Sequence, residues 1–301
     1  MDVLSSIFSV IRLSSTIYFR SDFSTPWGMK AAESNFSQFH MVASGQCIVR
    51  ITGEEPIELN AGDIILLPHG AGHIISDSSH SNVLDGMKVV QSIQSGNSPF
   101  SGNSSITNLI CGHFQFDKSL VHPFIQTLPK AIIIKDIEHR EKAWFETVYN
   151  LILNESLEAL PGSNIIMTRL AEVMLMHILR TYILREQVNN PFYAALTDNQ
   201  LSQSLTKIHL NPAYAWSLVS LAKEAGMSRT LFANKFRTMI GATPMEYVAQ
   251  WRILKAKELL LKTKEPISKI AEQVGYSSEA SFNRAFKRLA KATPLVFRKS
   301  A

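Results

Sequence analysis

Two sets of residues in this 301-residue chain have types and spacings that can do chemistry. The first is a pair of polar and basic clusters near the C-terminus. One holds Arg229, Thr230, Ala233, Asn234 and Arg237; the other holds Glu279, Ala280, Ser281, Arg284, Lys287 and Arg288. Residues three and four apart share one face of a helix, and such a face suits double-stranded DNA. A guanidinium matches guanine's two acceptors, an Asn amide pairs with adenine, and an Ala methyl meets the thymine methyl. The expected base readers are Thr230, Ala233 and Asn234 in one cluster, and Glu279, Ala280, Ser281 and Arg284 in the other. Arg229, Arg237, Lys287 and Arg288 are expected on phosphate. The second set is His40, His73, Cys111 and His113. Cys111 and His113 are two apart and so share one face of a strand. Imidazole with thiolate is zinc-type ligand chemistry.

The elements that must hold the basic clusters are visible as a repeat. LAKEAGMSRTLFANKF, Leu221–Phe236, returns about 50 residues later as IAEQVGYSSEASFNRAF, Ile270–Phe286. Ala222 matches Ala271, Gly226 matches Gly275 and Ser228 matches Ser277. Phe236 matches Phe286 after one inserted residue, and Thr243-Pro244 matches Thr293-Pro294. Each copy predicts a helix-turn-helix. A short apolar helix ends at a glycine able to take positive φ, and Ser228, or Ser277 or Ser278, caps the next helix. The spacing puts Leu231 and Phe236 inside in the first copy, Phe282 and Phe286 in the second. Between them Met245–Lys262 reads as one long helix with an apolar stripe of Tyr247, Val248, Trp251, Leu254 and Leu259.

Through these motifs, Trp216–Lys299 resembles the DNA-binding domain of the AraC/XylS family of bacterial transcription regulators. The resemblance implies two helix-turn-helix units joined by a long helix. Lys291 departs from it, standing where the first copy has Gly241 and the family usually has Gly. A left-handed cap there is strained for a side chain with a Cβ.

From Ser21 to about Asp117, short alternating runs punctuated by Gly and Pro predict many strands. Phe39–Val42, Cys47–Ile51, Ile57–Leu59, Ile64–Leu67 and Ile74-Ile75 are the candidates. Gly62–His73, GDIILLPHGAGH, resembles the second motif of cupins, with Asp77 in place of the final Asn. Gln38 stands where the first cupin motif usually has Glu, and its His-x-His is missing, so a catalytic cupin metal site is not supported. A modified site remains open. His40 shares a strand side with Gln38, the cupin resemblance turns His73 inward, and AraC-type regulators with this cupin variant are similar here, including the Cys-Gly pair. The cofactor that resemblance implies is a divalent metal such as zinc. The same residues also fit a hydrogen-bonded core with Cys111 as a small filler, and the sequence leaves both open. Cys47 and Cys111 could alternatively form a redox pair, although both sit in apolar strands rather than in the activated setting a thiol switch needs.

Charge is unevenly placed. From Trp216 to Ala301 there are 16 Lys/Arg against 6 Asp/Glu, a net of +10, whereas the rest carries 14 against 19, a net of −5. A basic module beside an acidic one fits binding to phosphates by one domain only. Two cysteines imply no disulfide framework and fit a cytoplasmic protein, and no stretch is long and apolar enough to span a membrane. Residues 1 to about 20 read as a short amphipathic helix and a strand. Gln91–Thr107 reads as a Ser/Gly/Asn-rich loop. Helical periodicity from Ile137 to about Glu186 gives the stripes Trp144, Val148, Leu151, Ile152 and Ile166, Leu170, Val173, Met174, His177, Ile178.

The expected fold class is therefore α+β and multidomain. Residues 1–135 form a cupin-like β-barrel sensor, 136–190 a helical linker or dimerisation segment, and 191–301 an all-α DNA-binding domain with two helix-turn-helix units. The expected function is a sequence-specific transcription regulator, not an enzyme, whose cupin domain senses a small molecule or metal. The rivals are a cupin-type metal-dependent enzyme fused to a DNA module, and a cysteine redox sensor. The resemblance further implies a homodimer and, for an activator, contact with RNA polymerase.

Overall fold

The computed structural model describes residues 2–10, 13–102, 104, 106–116, 122–135, 139–158 and 160–299. After α1 (Val3–Val10) come β1 (Leu13–Ser24), β2 (Gly28–Ala31), β3 (Ser37–Ser44), β4 (Gln46–Ile51), β5 (Ile57–Asn60), β6 (Ile64–Leu67), β7 (His73–Ser76) and β8 (Leu84–Asp85). Then follow α2 (Gly86–Gln94), β9 (Ile106–Phe116), α3 (Pro123–Gln126) and β10 (Ile132–Ile134). The remainder is helical: α4 (His139–Glu158), α5 (Ser163–Glu186), α6 (Pro191–Thr197), α7 (Leu201–Leu210), α8 (Leu218–Glu224), α9 (Arg229–Ile240), α10 (Pro244–Lys262), α11 (Ile267–Gln273), α12 (Glu279–Ala290) and α13 (Pro294–Lys299). The chain divides into two units. One is Leu13–Phe116 with Pro123–Tyr182; the other joins Met1–Arg12, Asp117–His122 and Ile183–Ala301.

The first unit holds two five-stranded sheets, β1-β9-β3-β6-β10 and β5-β4-β7-β2-β8. The pairings are antiparallel apart from β2 with β8. A core of Phe23, Trp27, Val42, Cys47, Val49, Leu59, Ile65, Leu67, Ile75, Leu109 and Cys111 draws residues from both sheets. Alternation explains β4, where Cys47, Val49 and Ile51 are buried in turn. In β6 all four residues are buried, so both faces of this strand are covered. Gly62, at φ +95, turns the chain into it, and the Asp63 carboxylate accepts the Asn60 amide at 2.8 Å. Gly112 has no room for a side chain: a Cβ would lie 2.6 Å from the Phe39 ring, which stacks on Phe114 at 4.9 Å. The Ser/Gly/Asn-rich stretch is a loop only in its middle, because Gln91–Gln94 finish α2 and Ile106 and Thr107 begin β9. In α4 and α5 the expected stripes divide. Val148, Ile152, Met174 and Ile178 are buried, whereas Leu151, Ile166 and Val173 are exposed.

In the second unit α1 buries Val3, Ile7 and Val10, a helical spacing, and meets α7 and α10. His122 is fully enclosed here, with ring centroids 6.2 Å from Tyr247 and 5.9 Å from Trp251. α10 is the spine, burying Tyr247, Val248, Trp251, Ile253, Leu254, Ala256 and Leu260. A helix covered on so many sides must be a core element. His209 lies flat on Trp251 at 3.7 Å, and its Nε2 is 2.8 Å from the Tyr247 hydroxyl.

Candidate functional site

The two reading heads are built by the same local rules. Ser217 and Ser220 form a capping box at the start of α8. Gly226, at φ +63, leaves that helix, and the Ser228 hydroxyl accepts the Leu231 amide to start α9. In the second copy Gly275, at φ +88, makes the turn and the Ser278 hydroxyl accepts the Ser281 amide at 3.2 Å. Ser278, not Ser277, is therefore the counterpart of Ser228, and the inserted residue lies in the turn. Phe232 and Phe236 are buried with ring centroids 5.4 Å apart, matched by Phe282 and Phe286 at 5.5 Å. This corrects the interior of the first copy. Leu231 is 57% exposed and Phe232 takes the inward position. Residues five apart cannot share a helix face; residues four apart can. Leu231 is thus an outward residue that the spacing of the motif did not reveal.

The outward faces carry the expected side chains. Arg229, Thr230, Asn234 and Arg237 are exposed on α9, with Ala233 half-buried beside them. Glu279, Ala280, Arg284, Lys287 and Arg288 are exposed on α12, with Ser281 half-buried. The Ser281 hydroxyl donates to the Ser278 carbonyl at 2.8 Å, which leaves its lone pairs for a partner. Some cations of this unit are paired: Lys235, also on α9, with Asp198 at 2.6 Å, and Lys255 and Lys262 with Glu258 at 2.6 and 2.7 Å. Among the described residues, Arg229, Arg237, Arg284, Lys287 and Arg288 form no salt bridge.

Both copies end through a left-handed residue, Gly241 at φ +79 and Lys291 at φ +59. Lys291 is the only non-glycine residue with positive φ among those described, so the departure noted in the sequence does place a side chain in a strained position.

In the sheet unit, three of the four ligand candidates come together. His40 lies opposite Cys111 in the β3–β9 ladder, its Nδ1 2.9 Å from Cys111 Sγ and its Nε2 2.7 Å from His73 Nε2. His73 Nδ1 is 2.9 Å from the Ala71 carbonyl. A carbonyl only accepts, so neutral His73 carries its proton on Nδ1. Its Nε2 then accepts from His40 Nε2–H, and His40 Nδ1 accepts from the Cys111 thiol. Burial pushes His40 well below the usual imidazole range, and the neighbouring His73 adds to this. It lowers His73 as well, and it pushes Cys111 well above the usual thiol range. A neutral chain of hydrogen bonds satisfies all three. The His113 ring lies 4.7 Å from that of Phe36.

This donor set has zinc-type chemistry, but its atoms do not converge. The two nitrogens of His40 face two different partners, and among the described residues no three His, Cys, Asp or Glu side chains are placed to hold a metal ion. The thiols are not activated either, since burial pushes Cys47 up to about 12. His73 also lines a groove of about 690 Å³ with Lys30, Glu33, Arg50, His69 and Lys130. That volume is in the range of small-molecule sites. Among the described residues, no helix is long and apolar enough to cross a membrane.

Comparison with known proteins agrees with both halves of this arrangement. Residues 2–184 match the cupin family, and residues 221–300 match a helix-turn-helix domain family. A putative AraC-like transcription regulator of Streptomyces antibioticus is 28% identical over 99% of each chain. The HTH-type transcriptional regulator AlkR of Acinetobacter baylyi is 26% identical over the full length of both. The RCS-specific HTH-type transcriptional activator RclR of Escherichia coli is 25% identical over 92% of this chain and 89% of its own. With a cupin domain followed by two helix-turn-helix units, the chain belongs to the AraC/XylS family of transcription regulators.

Proposed function

We propose that α9 and α12 enter successive major-groove segments of one DNA duplex and that the sheet unit binds an effector that biases this reading. The observation that carries the first part is the repeated outward face: two serine-capped helices, α9 and α12, each present exposed cations that form no salt bridge among the described residues, Arg229 and Arg237 on one and Arg284, Lys287 and Arg288 on the other. Recognition helices of such dual readers meet the duplex about 34 Å apart, one helical turn. Base selection falls to Thr230, Ala233 and Asn234 on α9, and to Glu279, Ala280, Ser281 and Arg284 on α12. Selection of bound duplexes from a random pool tests this. Two short motifs enriched together support the proposal; enrichment of none rejects it.

The effector part rests on the groove beside His73. Lys30, Arg50 and Lys130 line it against Glu33, although Lys130 is shared with Glu54 at 2.8 Å. This balance favours a small organic anion over a cation. A metal is less well served, because His40 would have to leave one of its two partners. Anilinonaphthalene sulfonate and uncharged phenylnaphthylamine are suitable probes. Tighter binding of the anion, lost in Lys30→Ala, supports the assignment; equal binding of both rejects it. Coupling to DNA requires the effector to prefer one state of the protein, and no catalytic step is assigned to the groove.

The dimer reading rests on α5, which leaves Ile165, Ile166, Val173 and Met176 exposed. An apolar face of that kind is suited to a second copy. Light scattering on the wild type and on Val173→Glu is the test, with a dimer expected for the wild type and a monomer for the variant.

A further inference from the structure

Arg252, on the spine helix α10, touches both the segment leading into the first reading head and the turn of the second. Its Nε donates to the Pro212 carbonyl and its Nη2 to the Tyr214 carbonyl, each at 2.8 Å. Pro212–Tyr214 is the segment that leads into α8. The same guanidinium lies 5.6 Å from the centre of the Tyr276 ring, and Tyr276 is in the turn between α11 and α12. A second observation is independent of the arginine's bonds. A Cβ at Gly275 would come within 2.8 Å of Ala213 Cα, 2.8 Å of Arg252 Nη2 and 2.9 Å of the Ala213 carbonyl oxygen. The turn of the second head is thus pressed against the lead-in of the first. Gly226, the corresponding turn residue of the first head, has nothing within 4 Å of the same built atom. Gly226 meets only a backbone requirement, whereas Gly275 also makes room for the other head.

We propose that Arg252 and Gly275 form a joint that fixes the separation of α9 and α12, and with it the separation between the two DNA motifs the protein accepts. Arg252 is a positioning residue and contacts no base. The planar guanidinium is well shaped for this role, since its fork reaches two carbonyls at fixed angles while its face lies on an aromatic ring. An ammonium can keep one of those bonds but not the whole set. The joint therefore belongs to specificity as well as stability, because a reader with a loose hinge accepts several spacings of the same two motifs. This inference rests on the reading of α9 and α12 as a paired DNA reader.

The test is selection from a random duplex pool with the full chain as wild type, Arg252→Gln, Arg252→Lys, Gly275→Ala and, as control, Gly226→Ala. The wild type is expected to enrich two motifs at a single separation. Arg252→Gln and Gly275→Ala are expected to enrich the same two motifs at a spread of separations, and Arg252→Lys a narrower spread. Affinity for the wild-type spacing should fall about tenfold in Arg252→Gln, as for loss of one charge-assisted hydrogen bond, while affinity for single-motif DNA holds. Gly226→Ala should lower the melting temperature without changing the separation. A single unchanged separation in both Arg252→Gln and Gly275→Ala, with only a lower melting temperature, overturns the joint. One motif alone from the wild type overturns the paired reading beneath it, a different result.

Discussion

The two helix-turn-helix copies share a plan and differ in their surroundings. Both bury a Phe pair four residues apart, both turn on a left-handed glycine and both cap the reading helix with serine. Yet the first copy adjoins buried histidines, through Phe236 on Tyr247 at 5.7 Å and Tyr247 on His209, whereas the core of the second contains none. The second copy instead carries the crowded Gly275 and the strained Lys291. Features common to both are what a reading head needs to fold. Features present in one show what that copy does besides.

The largest effect tests the common plan. Phe232→Ala and Phe282→Ala should each cost about 3–5 kcal/mol in denaturant unfolding. A marked inequality would break the equivalence of the two cores. Acid should separate the copies next. Burial holds His122 down at about 3, so the folded chain stays neutral while the unfolded histidine, near 6.5, takes up a proton. Stability present above pH 6.5 is then lost as pH falls toward 3, and His122 alone should remove about 2 kcal/mol between pH 7 and pH 5. His209, lowered by burial first and by His122 and Lys255 after it, acts in the same direction. Amide exchange should show α8 and α9 opening in acid before α11 and α12, and His122→Gln should flatten the dependence. Equal opening of both copies would contradict this contrast.

Smaller changes act on the readers themselves. Arg284→Ala should relax base preference at its own position by about 1–3 kcal/mol. Lys287→Ala should weaken all DNA alike and lower the salt slope by about one. Competition assays across salt concentrations distinguish these outcomes. The smallest effect concerns the two C-caps. Lys291→Gly should stabilise the chain by about 1 kcal/mol, whereas Gly241→Lys should destabilise it by a similar amount, both read from the melting temperature.

What could be read in the sequence was what local rules control. The Gly-x-Ser turns announce themselves because positive φ and helix capping each admit few residue types, and the strands show through alternation at Cys47, Val49 and Ile51. The one-residue slip at Leu231 follows from pairing Phe236 with Phe286 while the place of the insertion is unknown; the structure puts it before Ser278. The ligand candidates were legible as types, but whether their atoms converge depends on ladder register and ring orientation, which distant strands set. Nothing local marks α1 or His122 as parts of the helical unit, or Arg252 as the partner of a lead-in segment 40 residues away, because those contacts are made only when the chain has folded.

The most direct measurement is base preference in each half of a selected duplex, taken separately for the full chain, Asn234→Ala and Arg284→Ala. If α9 and α12 read independent motifs, Asn234→Ala alters one motif and leaves the other intact, Arg284→Ala does the reverse, and the motifs lie about 10 base pairs apart. Substitutions that changed both motifs together, or neither, would contradict the paired reader.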